Sequence, residues 1–216
     1  MAGVITALKM QKKQSRRVNV YLDHAYAFSL DRSLAAGLLK GQALTDEQIT
    51  HLSEQDDEQR AYLRSVQYLS RRPHAEEEIR QKLIRKGFEE PALTRVLARL
   101  NEAGLLDDAA FARAWVENRL TYRPRGASAL RVELKRKGVP GAAIDAALES
   151  FEEDLAARRA AQKAMRRYAG LEPGVARRRL MGYLSRRGFG YSVVKEVVGQ
   201  LLPGWNHSDA ESEVSR

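Results

Sequence analysis

The sequence predicts a mainly α-helical protein. Three tandem three-helix repeats form an elongated, curved body, preceded by a short N-terminal antiparallel β element. Three observations carry this. One pattern recurs as Leu83-Ile84-Arg85-Lys86-Gly87-Phe88, Leu134-Lys135-Arg136-Lys137-Gly138-Val139 and Leu184-Ser185-Arg186-Arg187-Gly188-Phe189, its glycines 51 and then 50 residues apart. Each copy has an aliphatic residue four before the leucine (Ile79, Leu130, Leu180) and another six after the glycine (Leu93, Ile144, Val194). Period-two alternation is confined to residues 4–30, and beyond Leu30 the apolar spacing is helical.

The strands come first. Val18, Val20 and Leu22 alternate with Asn19 and Tyr21, and Tyr26, Phe28 and Leu30 alternate after Asp23-His24-Ala25. Strands are therefore expected over about 4–11, 17–22 and 25–30, with turns at 12–16 and 23–25. Asp31 caps a short helix ending near Gly41. Thr45-Asp46-Glu47-Gln48 has capping-box spacing and opens a helix to about Arg71, where Pro73 stops it. Tyr62, Val66 and Leu69 form the apolar stripe of that helix.

Each repeated pattern then has a physical reading. The aliphatic pair four apart is the buried stripe of one helix. The basic pair complements the negative end of the helix dipole. Glycine takes the left-handed conformation that ends the helix, and the apolar residue after it folds back onto the helix. A further helix starts near Pro91, near Pro140 and around Gly190 and Tyr191. Asp107-Asp108 opens a helix carrying Phe111, Trp115 and Val116, and an Arg- and Ala-rich helix covers 154–168. The chain thus divides into a β-strand element with short helices (1–57), repeats over 58–101, 102–149 and 150–205, and a disordered tail over 206–216.

Charge is unevenly distributed along the 216 residues, which carry a formal net charge of +9. Residues 1–57 are neutral overall, and 58–205 carry +11. Residues 155–205 hold 11 basic residues against Glu172 and Glu196. Such a domain meets a polyanion or an acidic protein surface, unless the arginines only solvate a helical surface. The candidate partner- or DNA-binding residues are the repeated pairs Arg85-Lys86, Arg136-Lys137 and Arg186-Arg187, with Arg71-Arg72, Arg166-Arg167 and Arg177-Arg178-Arg179. Cations in a last helical turn stabilise the helix by roughly 0.3–1 kcal/mol each, which accounts for the pairs without any partner. It does not account for Arg177 to Arg179, which follow Pro173 near a helix start.

Signs of catalysis are missing. There is no Gly-x-Gly-x-x-Gly, Gly-x-x-x-x-Gly-Lys-Ser/Thr or Gly-x-Ser-x-Gly motif, there is no cysteine, and the four histidines have no metal-ligand spacing. Asp107-Asp108 and Glu76-Glu77-Glu78 read as first-turn acidic groups before they read as catalytic or metal sites. Phe111 and Trp115 read as core before they read as a base-stacking pair. No enzymatic activity and no cofactor are expected. Without cysteine, a membrane-length apolar run or a signal-like start, the chain is expected to be cytoplasmic.

Taken together, Tyr68-Leu69-Ser70-Arg71-Arg72, the run from Glu78 to Phe88, Leu106-Asp107-Asp108, Phe111-Ala112-Arg113, Val116-Glu117-Asn118-Arg119 and the run from Leu130 to Val139 resemble the RecX family of RecA regulators. The resemblance covers roughly residues 60–200, and the strand-rich start looks like the extension some members carry. It implies a monomer that binds the RecA filament on single-stranded DNA, lies in its groove and inhibits ATP hydrolysis, strand exchange and co-protease activity. That would place it in homologous recombination, DNA repair and the SOS response. The alternative is a stand-alone DNA-binding repressor of helix-turn-helix type, since short helix–Gly–helix units can also be read that way.

Overall fold

Alternating residues at the N-terminus build an antiparallel sheet in the computed structural model, which describes residues 2–12 and 16–202. Strands β1 (Gly3–Met10), β2 (Arg17–Leu22), β3 (Ala25–Asp31) and β4 (Ala43–Leu44) lie in the order β3-β2-β1-β4. Val18, Val20 and Leu22 point to one face, where they join Ile5, Leu30 and Leu44 in a core. The fourth strand is not foreseen by periodicity, because two residues, Ala43 and Leu44, paired with Val4 and Gly3, are too short to show one. Asp23 and His24 both take positive φ, +48° and +71°, as a two-residue hairpin turn requires.

The helix capped by Asp31, α1 (Arg32–Ala35), is shorter than expected. The chain beyond it gives its backbone hydrogen bonds to β1 instead: Ile5 N donates to Gln42 O and Gly41 N to Ile5 O, both at 2.8 Å. Among the described residues nine longer helices follow: α2 (Asp46–Leu69), α3 (Glu76–Ile84), α4 (Glu90–Glu102), α5 (Asp108–Tyr122), α6 (Ala127–Arg136), α7 (Gly141–Glu149), α8 (Glu153–Met165), α9 (Pro173–Ser185) and α10 (Tyr191–Leu201). The Thr45–Gln48 capping box at the start of α2 forms in both directions. Pro140 is the cap residue of α7 rather than a first-turn residue. The tail expected over 206–216, and the middle of the turn between β1 and β2, lie outside the described residues.

The repeated pattern does what its chemistry requires. Ile79, Leu83, Leu93, Leu130, Leu134, Ile144, Leu180, Leu184 and Val194 are all fully buried. Gly87, Gly138 and Gly188 have φ of +83°, +79° and +81°. Phe88, Val139 and Phe189 each donate a backbone N–H five residues back, to Leu83, Leu134 and Leu184, which closes a Schellman turn. Burying these aliphatic side chains contributes about 1.5–3 kcal/mol each.

The chain folds as two compact units, 1–107 and 108–216. In the first, Asp56 of α2 is buried, accepts two hydrogen bonds from Arg17 Nη1 (2.6 and 2.8 Å) and one from the backbone N–H of Asp31 (2.6 Å). That carboxylate ties the sheet to the first long helix. In the second unit, Ala156, Ala157, Ala160, Ala161 and Ala164 form the buried face of α8 against α9 and α10. Their small side chains let the three helices approach closely.

α3 begins at Ala75 without a side-chain cap, and neighbouring His74 is buried with Nδ1 3.2 Å from Glu78 Oε2. Burial, followed by the Arg72 charge, holds this imidazole below its ordinary value of 6.5, against the pull of Glu78. Above that value it is neutral whether folded or unfolded, and full stability is present. As pH falls below it, the unfolded chain takes up the proton first and stability is lost. Thermal midpoints measured from about pH 7.5 to about 5.5 should fall more steeply for the natural protein than for His74→Gln.

Candidate functional site

Helix ends and one helix face place the basic residues. Arg85 and Lys86 stand exposed at the α3–α4 turn and form no ion pair or hydrogen bond through their side chains among the described residues. At the equivalent α6–α7 turn Arg136 is exposed, but Lys137 is half-buried with Nζ 4.2 Å over the Trp115 ring. At the α9–α10 turn Arg186 is exposed, whereas Arg187 donates from Nη1 to Pro124 O at 3.1 Å and lies 4.6 Å over Tyr183. The second residue of the pair is thus structural in two repeats out of three.

Arg71 and Arg72 are exposed after α2, but Arg72 is committed to Glu78 at 3.1 Å. Arg166, Arg167, Arg178 and Arg179 are exposed in the third repeat. Arg177 departs from the expectation. It is 6% exposed, turned into the unit between Ala176 and the outward Arg178, so its guanidinium does not present itself to a partner. Successive helical positions point in different directions around the axis, which a run of three arginines in the sequence hides.

α9 starts at Pro173, so Arg177 to Arg179 lie near a helix start as expected. Glu172 caps it, accepting from Gly174 N and Val175 N at 3.0 Å each. Those two backbone hydrogen bonds, with the charge of Arg178, hold its carboxyl below the usual range. The cations at 177–179 therefore follow the first turn, and the cap compensates for them.

The repeats differ in where cations pair with carboxylates, although each also has exposed cations without such a pair among the described residues. In the first, Arg60 pairs with Asp57 at 2.8 Å, Arg95 with Glu58 at 2.8 Å, and Arg80 with Glu77 at 3.6 Å and also with Glu90. In the second, Glu133 takes Arg119 at 2.7 Å, Arg125 at 3.6 Å and the Trp115 indole N–H at 2.9 Å. Burial opposes the ionisation of Glu133, yet these bonds and charges outweigh it and lower its pKa.

In the third repeat Glu153 and Glu172 bond backbone instead, and Glu196 takes the Gln200 side chain at 3.1 Å. Glu153 Oε1 accepts from Ala127 N (3.0 Å) and Gly190 N (3.3 Å), and Glu172 caps α9. Arg158, Arg159, Arg166, Arg167, Arg178, Arg179, Arg186 and Lys195 are exposed and form no ion pair with a carboxylate among the described residues. Arg159 and Arg166 flank a shallow recess with Gln162 and Lys163, whose Nζ reaches the carbonyls closing α5, Thr121 O at 3.2 Å and Tyr122 O at 3.3 Å. Sequence reasoning missed Arg158 and Arg159. The alanine stripe at 156, 157, 160, 161 and 164 was the signal, because it leaves 158, 159, 162, 163 and 166 on the outer face.

Among the described residues no three His, Cys, Asp or Glu side chains gather as a metal site, and no helix is long and apolar enough to cross a membrane.

Comparison with known proteins matches four family domains to the chain. The RecX N-terminal domain matches residues 3–45, and the first, second and third RecX three-helix domains match 61–100, 107–148 and 152–198. A regulatory protein RecX of Bacillus licheniformis is 32% identical over 97% of this chain and 81% of its own length. That of Bacillus subtilis is 30% identical over 98% and 82%. A crystal structure of regulatory protein RecX superposes with a TM-score of 0.71 at 30% identity, covering 90% of this chain and 98% of the other. The RecX structure from Lactobacillus salivarius, at 21% identity and a TM-score of 0.61, shares the fold over 68% of this chain and 97% of its own.

Proposed function

The chain belongs to the RecX family of regulatory proteins, and we propose that it binds the RecA filament on single-stranded DNA and inhibits recombinase, ATPase and co-protease activities. It does so as a cytoplasmic monomer, by occupancy, without turnover or cofactor. What supports this reading is the third repeat, whose exposed arginines form no ion pair with a carboxylate among the described residues while Glu153 and Glu172 hold backbone N–H groups. Cations kept available in this way suit a partner that exposes phosphate and carboxylate together.

The test is RecA ATP hydrolysis on single-stranded DNA with increasing amounts of this protein. The expected result is a saturable fall in rate that weakens as salt is raised. Full ATPase activity at saturating protein would reject the reading. Tight, sequence-selective binding to duplex DNA without RecA, seen by mobility shift, would replace it with the repressor alternative.

A further inference from the structure

The N-terminal sheet has a second face, half-buried along β2 and flanked by α2 at its Arg17 end. On β2, Arg17, Asn19 and Tyr21 alternate with the buried Val18, Val20 and Leu22, so the three share the outer face. The face ends in aromatic surface. Tyr26, paired across from Tyr21, is 58% exposed, and the two rings meet edge-on with centroids 6.0 Å apart. Lys9 Nζ sits 5.0 Å over the Tyr21 ring. Both flanking strands bulge opposite Tyr21, where the register shifts on β1 and on β3. The bulges increase the twist of the strands locally.

The other end of the same face opens into a cleft of about 710 Å³ between the sheet and α2. Arginines 16, 17, 60 and 64 line it, against one lining carboxylate, Asp31. Arg17 and Arg60 are held by Asp56 and Asp57 on α2. Arg16 and Arg64 are exposed and form no ion pair within 4 Å among the described residues, although the charge of Arg16 is felt by Asp31. From Arg17 to Tyr21 is four strand residues, about 13 Å, which a short run of nucleotides spans. Cations along a groove and an exposed tyrosine ring, Tyr26, at its end are the two parts that unpaired nucleic acid uses: phosphates follow the charge and a base lies on the ring.

We propose that this face binds a single nucleic-acid strand directly, with phosphates at Arg16 and Arg64 and a base stacked on Tyr26. It stands apart from the recombinase reading, since it needs neither RecA nor the third repeat. A duplex keeps its bases stacked internally and offers none to Tyr26.

The experiment is fluorescence anisotropy of the full chain at low salt with a labelled oligo-dT of about 15 nucleotides, without RecA. Tyr26→Ala should weaken binding by about tenfold, and Tyr26→Phe should leave it unchanged. Arg64→Glu should weaken binding and lower the salt slope by about 0.7, the change expected when one phosphate is no longer neutralised. Oligo-U should behave as oligo-dT, because neither stacking nor a phosphate ion pair reads the 2′-hydroxyl. Binding of a duplex of the same length should not respond to Tyr26→Ala. Three results would each overturn the proposal: no binding by the natural protein, unchanged affinity in both Tyr26→Ala and Arg64→Glu, or a duplex as sensitive to Tyr26→Ala as the single strand. A protein that inhibits RecA yet fails here leaves the function of the preceding section intact.

Discussion

Gly188→Ala should destabilise the 108–216 unit by roughly 3–5 kcal/mol, whereas Gly87→Ala, at the same point of the same motif, should cost the first unit only about 1–2 kcal/mol. Both glycines end a helix with positive φ, +81° and +83°, so both variants suffer the strain of a side chain in the left-handed region. Nothing lies within 4 Å of a Cβ added at Gly87. One added at Gly188 would come 2.6 Å from both Ala129 Cβ and Ala129 N, and 2.7 Å from Ser128 Oγ. The start of α6 is docked on this turn. Gly126 N donates to Arg187 O at 3.0 Å, Ser128 Oγ donates to Gly188 O at 2.7 Å, and Glu153 bonds both sides of the joint. Gly126 is equally crowded, since a Cβ there would meet Gly188 O at 2.0 Å. The clash is with backbone on two repeats, so relief requires moving one repeat against the other. Urea unfolding followed by circular dichroism measures the difference. Equal midpoints for Gly87→Ala and Gly188→Ala would show that the two repeats are not locked in this way.

The contrast between those glycines marks what the sequence could and could not reveal. The motif was legible because its parts are local: a leucine stripe, a C-terminal glycine and the apolar residue after it lie within one turn or two of each other. All nine aliphatic positions of the repeat proved buried. The docking of one copy of the motif onto α6 was not legible, because Gly126 and Gly188 meet across 62 residues of chain and nothing local distinguishes Gly188 from Gly87. The binding residues divide in the same manner. Counting charge found the basic third repeat. It could not separate the buried Arg177 from its exposed neighbours, nor see that Lys137 and Arg187 spend their charge on rings and a carbonyl. Those distinctions depend on helix phase and on partners far away in sequence. Ala43 and Leu44 illustrate the remaining gap, since a two-residue strand exists only through its neighbour β1.

Reversing two charges in the third repeat, Arg178→Glu with Arg179→Glu, should weaken inhibition of RecA by roughly tenfold or more. Each exposed ion pair contributes about 0.2–1 kcal/mol, and reversal replaces an attraction with a repulsion. Two reversals therefore amount to about 1–4 kcal/mol, and each 1.4 kcal/mol is a factor of ten. The fold should tolerate the change. Both side chains are exposed and form no ion pair among the described residues, and the two backbone N–H bonds of the Glu172 cap do not depend on them, although the cap loses the nearby charge of Arg178. A control of equal charge, Arg32→Glu with Lys40→Glu, alters two exposed residues of the first unit. If net charge alone governs association, the two doubles should lose the same inhibition. If the exposed cations of the third repeat are what grips the filament, the control should stay near the natural value while the α9 double shifts its half-inhibitory concentration and loses part of its salt dependence. Full inhibition by the α9 double would remove the third repeat from the binding surface.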